Sequence, residues 1–299
     1  MGTTEAQGEL AMWLILGGEG QLGRSMQDSL SSLGVPYVST GRKDVDIADL
    51  SAVRSVINNY APEVIVNAAA WTAVDDAEVS EEAANLVNCI GVRNVALIAA
   101  EQRNVLVHIS TDYVFSGNDT TPISEEQKTD PINAYGRTKL AGEKAIREIY
   151  PEGSLIIRTA WLYGQFGHNF ARTMVKKALA NQPVRVVNDQ RGQPTFSCDL
   201  ANHILALVQA KAPNGLYHGT SQGDTTWYEF AREIYRLTGS DPDLVAPVPA
   251  SEYPTLAKRP AYSVLDHKNT EAARIALMAP WLDTLTAAIP LIVANIDEA

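Results

Sequence analysis

Short apolar runs alternate with longer amphipathic stretches along the first half of the chain. The first run, residues 12–16, ends in the segment Gly17-Gly18-Glu19-Gly20, which is typical of a buried strand that meets a turn. Later runs of the same kind predict strands at residues 35–39, 64–68, 105–109 and 154–159. The stretches between them predict helices at residues 22–33, 81–102 and 135–150.

This alternation determines the expected fold class. Strands separated by helices of this length form right-handed βαβ units and a parallel sheet. The sequence therefore predicts an α/β protein with a Rossmann-like, doubly wound parallel sheet.

After Trp161 the alternation becomes irregular. The pattern predicts helices at residues 168–181, 199–211 and 226–238, a short strand at 184–187 and an irregular segment at 188–197. Five prolines between residues 242 and 260 exclude a long helix or a central strand there. We expect these residues to form a smaller, mixed α/β C-terminal part that covers the carboxyl edge of the sheet and binds the substrate.

The expected domain boundaries follow these changes of pattern. Residues 1–10 are expected to be a disordered extension or an artificial remnant. A dinucleotide-binding domain is expected over residues 11–165, completed by residues from about 196 to 225. The substrate-binding part then comprises residues 166–195 and 226–299.

Charge and composition exclude several classes of partner. The 299 residues are 45% apolar and carry a formal net charge of −11, which argues against binding to nucleic acids and to anionic membrane surfaces. No apolar run reaches membrane-spanning length, and residues 1–10 lack the basic segment of a signal peptide. Cys89 and Cys198 have no metal-ligand spacing, and the five histidines form no H-x-x-x-H pair, so the sequence predicts no metal site. Two isolated thiols favour a reducing cytoplasm.

Glycines at positions 17, 20 and 23 form a G-x-x-G-x-x-G pattern between a predicted strand and a predicted helix. Gly17 permits the tight turn, Gly20 lets the backbone approach a pyrophosphate, and Gly23 allows the helix to pack closely. The N-terminus of the helix supplies amides and the positive end of its dipole for the phosphates. The pattern predicts dinucleotide binding.

The residues after the second predicted strand are expected to surround the adenosine of that dinucleotide. Arg42 and Lys43 stand where the adenosine ribose would lie, and a cation there accommodates the 2′-phosphate of NADP. They favour NADPH, with NADH as the alternative. Asp46 and Ile47 are expected to contact the adenine ring.

The third predicted strand ends in small side chains. Ala68, Ala69 and Ala70 would let a flat ligand press against the backbone, as the nicotinamide half of a dinucleotide requires. Trp71 and Thr72 continue this loop toward the open edge of the sheet, where ligands bind in such folds.

Candidate catalytic residues lie on the fourth strand and on the helix that follows it. Tyr135 and Lys139 are four residues apart and share one helix face. A neighbouring ammonium lowers the pKa of a phenol toward neutral pH, so Tyr135 can exchange a proton with a carbonyl group. Thr111 follows the fourth strand, where its hydroxyl can hold the carbonyl oxygen beside the phenol. Lys139 is also expected to hydrogen-bond the nicotinamide ribose.

Together these motifs resemble the extended short-chain dehydrogenases/reductases, and more closely their dTDP-4-dehydrorhamnose reductase branch. The resemblance runs from about Met12 to the region of Asp266. Besides the glycine pattern, it rests on the segments at residues 67–75, 110–115, 135–139, 158–164, 189–195 and 259–260.

The resemblance implies a concrete reaction. A nicotinamide cofactor would deliver hydride to C4 of dTDP-4-dehydro-L-rhamnose and yield dTDP-L-rhamnose. Tyr135 would protonate the developing alkoxide, Lys139 would lower the pKa of Tyr135, and Thr111 would orient the carbonyl.

The same matching implies further contacts. The implied cofactor contacts are Gly20, Gln21, Leu22, Asp46, Ile47, Ala70, Trp71 and Thr72. The implied sugar contacts are Val74, Asp112, Tyr113 and Trp161. Members of the family also form homodimers that bind Mg²⁺ through acidic residues at the interface; those acids have no clear match here, so the homodimer and Mg²⁺ stay open.

Other functions on the same scaffold also stay open. A nucleotide-sugar 4,6-dehydratase resembling this chain would carry Asp-Glu after the threonine, whereas Asp112 is followed here by Tyr113. A 4-epimerase would retain its cofactor and usually shows a serine-rich strand end. A non-catalytic subunit resembling the regulatory subunit of methionine adenosyltransferase would bind nucleotide and a partner without turnover. The residues do not by themselves distinguish dTDP from another nucleotide.

Overall fold

The computed structural model describes residues 11–297. The extension expected at residues 1–10 lies outside the described residues, as do residues 298 and 299. A six-stranded sheet in which every neighbouring pair is parallel forms the centre of the fold. Its strands are β1 (Trp13–Leu16), β2 (Tyr37–Thr40), β3 (Val64–Asn67), β4 (Val105–Thr111), β5 (Ser154–Thr159) and β6 (Gly215–His218).

The spatial order of the strands is β6-β5-β4-β3-β1-β2. The chain leaves β1 toward β2 on one side and then returns to place β3 on the other side. The order therefore reverses between β1 and β3, and the crevice at such a reversal is where α/β sheets bind ligands. The α/β class and the doubly wound parallel sheet expected from the sequence are confirmed.

Helices cover both faces of the sheet and build the C-terminal part. They are α1 (Gln21–Ser32), α2 (Leu50–Tyr60), α3 (Val74–Val79), α4 (Glu81–Gln102), α5 (Ala134–Ile149), α6 (Phe170–Leu179), α7 (Ser197–Gln209), α8 (Trp227–Leu237), α9 (Lys268–Ala272) and α10 (Trp281–Ala294).

Helices α2, α3, α9 and α10 and strand β6 were not expected from the sequence. α2 buries only Val53 and Ile57, one turn apart, among polar residues. α10 contains Pro290, which normally interrupts a helix. β6 is a four-residue edge strand that follows a loop of mixed polarity, and only its pairing with β5 makes it part of the sheet.

The sheet is buried on both faces because its side chains alternate between two cores. Trp13 and Ile15 of β1 pack in the core beneath α1 and α7. Leu14 and Leu16 pack in the opposite core, beneath α2, α4 and α5. This explains why β1 appears in the sequence as a continuous apolar run.

A third core holds the C-terminal part together. It contains Tyr163, Val175 of α6, Phe230 of α8 and Ile289 of α10. Short strands border it, and they pair as Leu162–Tyr163 with Thr195–Phe196, Val184–Val187 with Val245–Val248, and Arg191–Gly192 with Thr225–Thr226. The segment expected to be irregular, residues 188–197, thus contains two of these two-residue strands.

No segment was expected from the sequence to be long and apolar enough to cross a membrane, but helix α4 meets both criteria. It spans 22 residues and contains an 18-residue window of mean hydropathy 1.4, half of which is buried inside the fold. A π-helical turn at Leu86–Gly91 interrupts it. Val92, Val95 and Ile98 pack on the sheet, which is the position of a core helix.

Candidate active site

The loops that follow β1 and β3 meet at the carboxyl edge of the sheet. Gly17 adopts a φ of +83°, a conformation that favours glycine. A Cβ on Gly17 would lie 2.6 Å from the nitrogen of Ala69 and 2.8 Å from the carbonyl carbon of Ala68. A Cβ on Gly23 would lie 2.4 Å from the Gly17 oxygen. The strand reversal is therefore a cradle of closely packed backbone, which suits a dinucleotide pyrophosphate.

Two adjoining cavities of about 500 and 690 Å³ lie over this edge. The smaller is lined by Gly17, Gly20, Arg42, Asp46, Ile47, Ala68, Ala69, Ala70, Trp71 and Thr72. The larger is lined by Gly20, Gln21, Leu22, Ala68, Ala70, Thr72, Val74, Thr111, Asp112, Tyr113, Tyr135, Lys139 and Trp161. Lys43, expected beside Arg42 at the adenosine ribose, lines neither cavity, whereas every other site residue predicted from the sequence lines one of the two.

An acid without a sequence signal stands beside the predicted adenosine-binding residues. Glu19 lines both cavities, and a Cβ on Gly41 would lie 2.5 Å from its carboxyl carbon. Arg42 follows Gly41 and is exposed at the rim of the smaller cavity. An anion and a cation thus border the place where a 2′-phosphate of NADP would lie.

Two residues expected to contact the cofactor use their side chains within the protein. The Asp46 carboxylate accepts a hydrogen bond from the Ala48 nitrogen at 3.0 Å. The Gln21 amide donates to the Leu162 carbonyl at 3.1 Å and accepts from the Asn169 amide at 2.7 Å. Gln21 therefore joins the glycine loop to the C-terminal part, and its backbone amide is the group that remains for a phosphate.

Asn88 positions the loop on the nicotinamide side, although no sequence signal singles it out. Its side chain accepts from the Trp71 nitrogen at 2.9 Å and donates to the Trp71 oxygen at 3.1 Å. It also donates to the Thr138 hydroxyl at 3.1 Å. Because Asn88 lies in the π-helical turn of α4, that turn connects the Trp71 loop to the helix that carries Tyr135.

The three candidate catalytic side chains converge in the larger cavity. Thr111 ends β4, and its hydroxyl donates to the Asp112 carboxylate at 3.0 Å. The Tyr135 phenol lies within hydrogen-bonding reach of the same hydroxyl, and its ring packs edge-on against Tyr113 with centroids 5.7 Å apart. Lys139 is buried one turn further along α5, with Nζ donating to the Ile109 carbonyl at 2.5 Å.

The protonation of Tyr135 differs from the sequence-based expectation. Burial raises the pKa of the phenol, the Thr111 hydroxyl lowers it in part, and the nearby Asp112 charge raises it. The ammonium of Lys139 is directed at the Ile109 carbonyl and does not offset this effect. Tyr135 is therefore a protonated phenol at neutral pH, which is the form that donates a proton.

Burial also shifts the pKa values of Lys139 and Asp112. It lowers the pKa of Lys139 to about 8, while the charge of Glu143 acts in the opposite direction. It raises the pKa of Asp112 to about 6, although the hydroxyls of Ser263 and Thr111 stabilise the carboxylate. Both groups are fully enclosed, so desolvation of the charged form dominates.

The predicted sugar-binding residue Trp161 lines the larger cavity, as Tyr135 does. It adopts a φ of +46°, which is uncommon for a tryptophan and indicates local backbone strain. Its ring stacks on Trp227 with centroids 3.6 Å apart and planes at 10°. Trp227 follows a short strand 66 residues later, and only the fold brings the two rings together.

A third cavity of about 1170 Å³ extends from Tyr113 into the C-terminal part. Its lining includes the cationic side chains Lys177, Arg185, Lys258 and Arg259. The guanidinium of Arg259 donates to both carboxylate oxygens of Asp75, at 3.2 and 2.7 Å. This contact lowers the pKa of Asp75 and connects the first turn of α3 to the segment at 257–259.

Within residues 11–297, one group of side chains is spaced to hold a metal ion. Glu125, His218 and Asp266 place ligand atoms within 4.8 Å of one another, although they are far apart in sequence. Burial, and after it the charge of Arg158, lower the pKa of His218, and Lys268 forms an ion pair with Asp266 at 3.1 Å. Burial raises the pKa of Glu125 to about 7, which favours a proton between the two carboxyl groups. We therefore assign no metal to this group.

The chain is similar to known proteins over nearly its whole length. Residues 11–293 match the RmlD substrate binding domain family. The dTDP-4-keto-6-deoxy-D-glucose reductase of Streptomyces niveus is 46% identical over 287 residues, which cover 96% of this chain and 99% of the relative. The dTDP-4-dehydrorhamnose reductase of Streptomyces griseus is 43% identical over 282 residues, which cover 93% of each chain.

A solved structure shows the same fold in detail. The dTDP-4-dehydrorhamnose reductase of Bacillus anthracis, crystallised in complex with NADP, superimposes with a TM-score of 0.91 at 34% identity. The match covers 94% of this chain and 99% of that chain.

Proposed function

Because the chain belongs to the RmlD substrate binding domain family, we propose that it reduces the C4 keto group of dTDP-4-dehydro-L-rhamnose to give dTDP-L-rhamnose. NADPH is the proposed hydride donor, with NADH as a second donor. Relatives that align over nearly the whole chain are reductases of dTDP-4-dehydro sugars, and the related structure from Bacillus anthracis binds NADP.

One observation carries the proposal: a protonated phenol and a threonine hydroxyl converge above the strand reversal. Tyr135 and Thr111 line the cavity that also contains Ala68 and Ala70 of the backbone cradle. The two loops pack so closely at Gly17 that a Cβ there would clash with the backbone of the other loop. Exposed backbone of this kind lets a dinucleotide approach closely, which supports the cradle as its binding site. When bound there, the nicotinamide supplies the hydride.

The side chains of the protein supply the remaining chemistry. Tyr135 Oη donates a proton to the oxygen at C4, where negative charge develops. The Thr111 hydroxyl orients that oxygen and stabilises the developing charge. Lys139 is one helical turn from Tyr135 and holds the nicotinamide ribose. Trp161, whose ring stacks on Trp227 and which lines the larger cavity, is the proposed contact of the deoxysugar.

The third cavity is the proposed site of the nucleotide diphosphate. Lys177, Arg185, Lys258 and Arg259 give it a positive lining, although the chain as a whole is acidic. Cations of this kind bind phosphate oxygens directly. Tyr113 lies at the junction with the catalytic cavity and lines both, so a nucleotide sugar could extend from one to the other.

The relative from Streptomyces niveus supports a second candidate substrate. Its name specifies a reductase of dTDP-4-keto-6-deoxy-D-glucose. It is 46% identical to this chain over 287 residues, whereas the relative from Streptomyces griseus is 43% identical over 282 residues. The reaction is the same C4 reduction on a sugar of different stereochemistry. Both substrates must therefore be tested.

Product analysis tests the proposed function. The protein is incubated with each dTDP-4-keto sugar and with NADPH or NADH, while the absorbance of the reduced nicotinamide is followed and the product is identified by NMR. We expect oxidation of the cofactor and a 4-hydroxy product. Tyr135→Phe should lower kcat by about 10²–10⁴-fold and leave the Kd for NADPH unchanged, because the phenol acts on the substrate. Tyr60→Phe, an exposed tyrosine outside the cavities, is the matched control.

The same assay separates the alternatives. An epimerase or a dehydratase would form product without net consumption of reduced cofactor. A regulatory subunit would bind NADPH and leave the absorbance unchanged with either sugar. Either result would overturn the proposed reduction.

The cellular setting and assembly complete the proposal. We infer a cytoplasmic enzyme, since Cys89 and Cys198 form no disulfide with each other and the substrate is a nucleotide sugar. A homodimer is supported by exposed apolar side chains at Val79, Leu86 and Ile90 on α3 and α4. Sedimentation of the wild type and of Leu86→Lys tests this: a dimer that Leu86→Lys dissociates is expected, and a monomeric wild type would contradict it.

The domain division inferred from the sequence stays part of the proposal. Residues 11–165 with about 196–225 would form the dinucleotide-binding domain, because β6 and α7 belong to the central sheet and its cover. Residues 166–195 and 226–299 would form the substrate-binding part around the third core.

A further inference from the structure

The side chain of Asn133 both caps a helix and bonds a distant segment of the chain. It is fully buried at the N-terminus of α5, where its Oδ1 accepts a hydrogen bond from the Gly136 nitrogen at 2.7 Å and caps the helix. Its Nδ2 donates to the Lys258 carbonyl at 2.8 Å, across 125 residues of sequence. The cap of the helix that carries Tyr135 is thus bonded to the segment beside the third cavity.

Asn169 repeats the arrangement in the opposite direction. It caps α6 by accepting from the Arg172 nitrogen at 3.0 Å. Its Nδ2 donates to the Gln21 side chain at 2.7 Å, and Gln21 in turn donates to the Leu162 carbonyl at 3.1 Å. A helix of the C-terminal part is thereby bonded to the first turn of α1, at the glycine loop.

The chemistry of the amide explains why both positions carry asparagine. Serine, threonine and aspartate cap helices about as well as asparagine. Serine and threonine would have to accept and donate through a single oxygen, whereas the amide uses two separate atoms, and aspartate would bring a negative charge against a carbonyl. The backbone nitrogens of Gly136 and Arg172 fix which end of each amide is the oxygen.

We propose that Asn133 and Asn169 are positioning residues that set the substrate-binding part against the dinucleotide-binding part. Asn133 lies two residues before Tyr135 and holds the residue next to Arg259. It therefore fixes the distance between the proton donor and the proposed diphosphate site.

Asn169 acts on the cofactor side of the same cleft. Through Gln21 it fixes the glycine loop relative to the wall of the larger cavity, which Asn169 itself lines. Hydride transfer requires the sugar and the nicotinamide to be aligned closely, and a small misalignment lowers the rate strongly. The role of both residues in turnover rests on the proposed reductase function, whereas the two bridges do not.

Serine substitutions separate bridging from capping. Asn133→Ser and Asn169→Ser retain a cap and remove the bridge, whereas Asn133→Ala and Asn169→Ala remove both. We expect serine to recover most of the Tm that alanine loses. We also expect Asn133→Ser to raise KM for the dTDP-4-keto sugar about fivefold, the effect of one net hydrogen bond, and to lower kcat, with an unchanged Kd for NADPH. Asn169→Ser should lower kcat and raise the Kd for NADPH about fivefold, again the effect of one net hydrogen bond.

Asp49→Ser is the matched control. Asp49 caps α2 through the nitrogens of Ser51 and Ala52 and is bonded to no distant segment. The substitution should therefore leave kcat and the KM values for the sugar and for NADPH unchanged. Wild-type kinetics in both asparagine-to-serine variants would overturn the positioning role and leave two ordinary caps.

Hydrogen exchange tests the bridges without turnover. Backbone amides at 257–259 should exchange faster in Asn133→Ser, and those at 162–164 and in the first turn of α1 faster in Asn169→Ser, with the rest of the chain unchanged. Unchanged exchange at these segments would refute the bridges. If the wild type did not oxidise NADPH with either sugar, the proposed function would fail while this measurement still decided the bridging.

Discussion

Glu143 and Arg158 form a two-point ion pair in the interior of the protein. Arg158 Nε donates to Glu143 Oε1 at 2.8 Å and its terminal nitrogen to Oε2 at 2.7 Å, and each side chain is 1% exposed. Glu143 also accepts from the Ser110 hydroxyl at 2.6 Å. Since Glu143 is one helical turn from Lys139 and Ser110 precedes Thr111, the pair supports two candidate catalytic residues from behind.

Glu143→Gln should therefore affect both stability and catalysis. The variant leaves the guanidinium of Arg158 buried without its counter-ion, so we expect a loss of about 3–5 kcal/mol of unfolding free energy in urea. It also removes the charge that raises the pKa of Lys139, so the basic limb of the pH–rate profile should move to lower pH. Glu143→Met combined with Arg158→Met should recover much of the stability, because no charge is then buried alone. A loss below about 1 kcal/mol in the single variant would contradict this.

Lys139 should produce that basic limb. Burial lowers its pKa to about 8, so the ammonium is charged below this pH and neutral above it. Turnover and NADPH affinity should accordingly decline as the pH rises through about 8. Lys139→Ala should weaken NADPH binding, lower kcat/KM by about 10²-fold and remove the limb. Fluorescence titrations with NADPH between about pH 6 and 10 check this, and an affinity in Lys139→Ala equal to the wild type would refute the ribose contact.

Asp112→Asn should stabilise the protein in a pH-dependent way. The pKa of Asp112 is about 6 in the folded protein and 3.8 as its ordinary value, so the folded state binds its proton more tightly. The ionised carboxylate therefore destabilises the fold above about pH 6, by about 3 kcal/mol, and this penalty disappears as the pH falls toward 4. Thermal unfolding should show a higher Tm for Asp112→Asn at pH 8 and little difference at pH 4. Glu63→Gln, at an exposed site, is the control.

Gly17→Ala should abolish cofactor binding through backbone contact. The added Cβ would lie 2.6 Å from the Ala69 nitrogen, and alanine is strained at a φ of +83°. Gly34→Ala is a matched control, since its φ is +66° and no atom lies within 4 Å of its added Cβ. We expect Gly34→Ala to lose about 1 kcal/mol of stability and to bind NADPH normally. Gly17→Ala should be more destabilised and bind NADPH at least about tenfold more weakly. Equal Kd values for NADPH in Gly17→Ala and Gly34→Ala, measured by calorimetry, would rule out the backbone cradle as the cofactor-binding site.

Glu19 should influence the choice of cofactor. Its carboxylate packs on Gly41 beside Arg42, where it would repel the 2′-phosphate of NADPH more than the 2′-hydroxyl of NADH. Glu19→Gln should raise the ratio of kcat/KM for NADPH over NADH severalfold, and Arg42→Ala should lower it. Parallel kinetics with the two donors measure both ratios. If neither variant changed the ratio of kcat/KM for NADPH over NADH, the 2′ position of the adenosine ribose would not lie beside Glu19 and Arg42.

The sequence by itself determined the fold class and indicated many of the residues that line the cleft, whereas Glu19 and Trp227 had no sequence signal. Signals of this kind are local: an apolar run ends at Gly17, small residues end β3, and Tyr135 and Lys139 share a helix face because of the helical period. Since the carboxyl ends of parallel strands meet at one edge, such local signals converge once the strands pair. The sequence did not predict α2, because its apolar pattern is weak and packing against the sheet stabilises the helix.

Only the tertiary structure decided how those residues behave. The phenol of Tyr135 has a raised pKa because neighbouring segments exclude water, which no spacing in the sequence encodes. The bonds from Asn133 to Lys258 and from Asn169 to Gln21 join segments more than 100 residues apart. Burial and long-range contact are properties of the whole packed chain, so they exist only after the two parts of the molecule have come together.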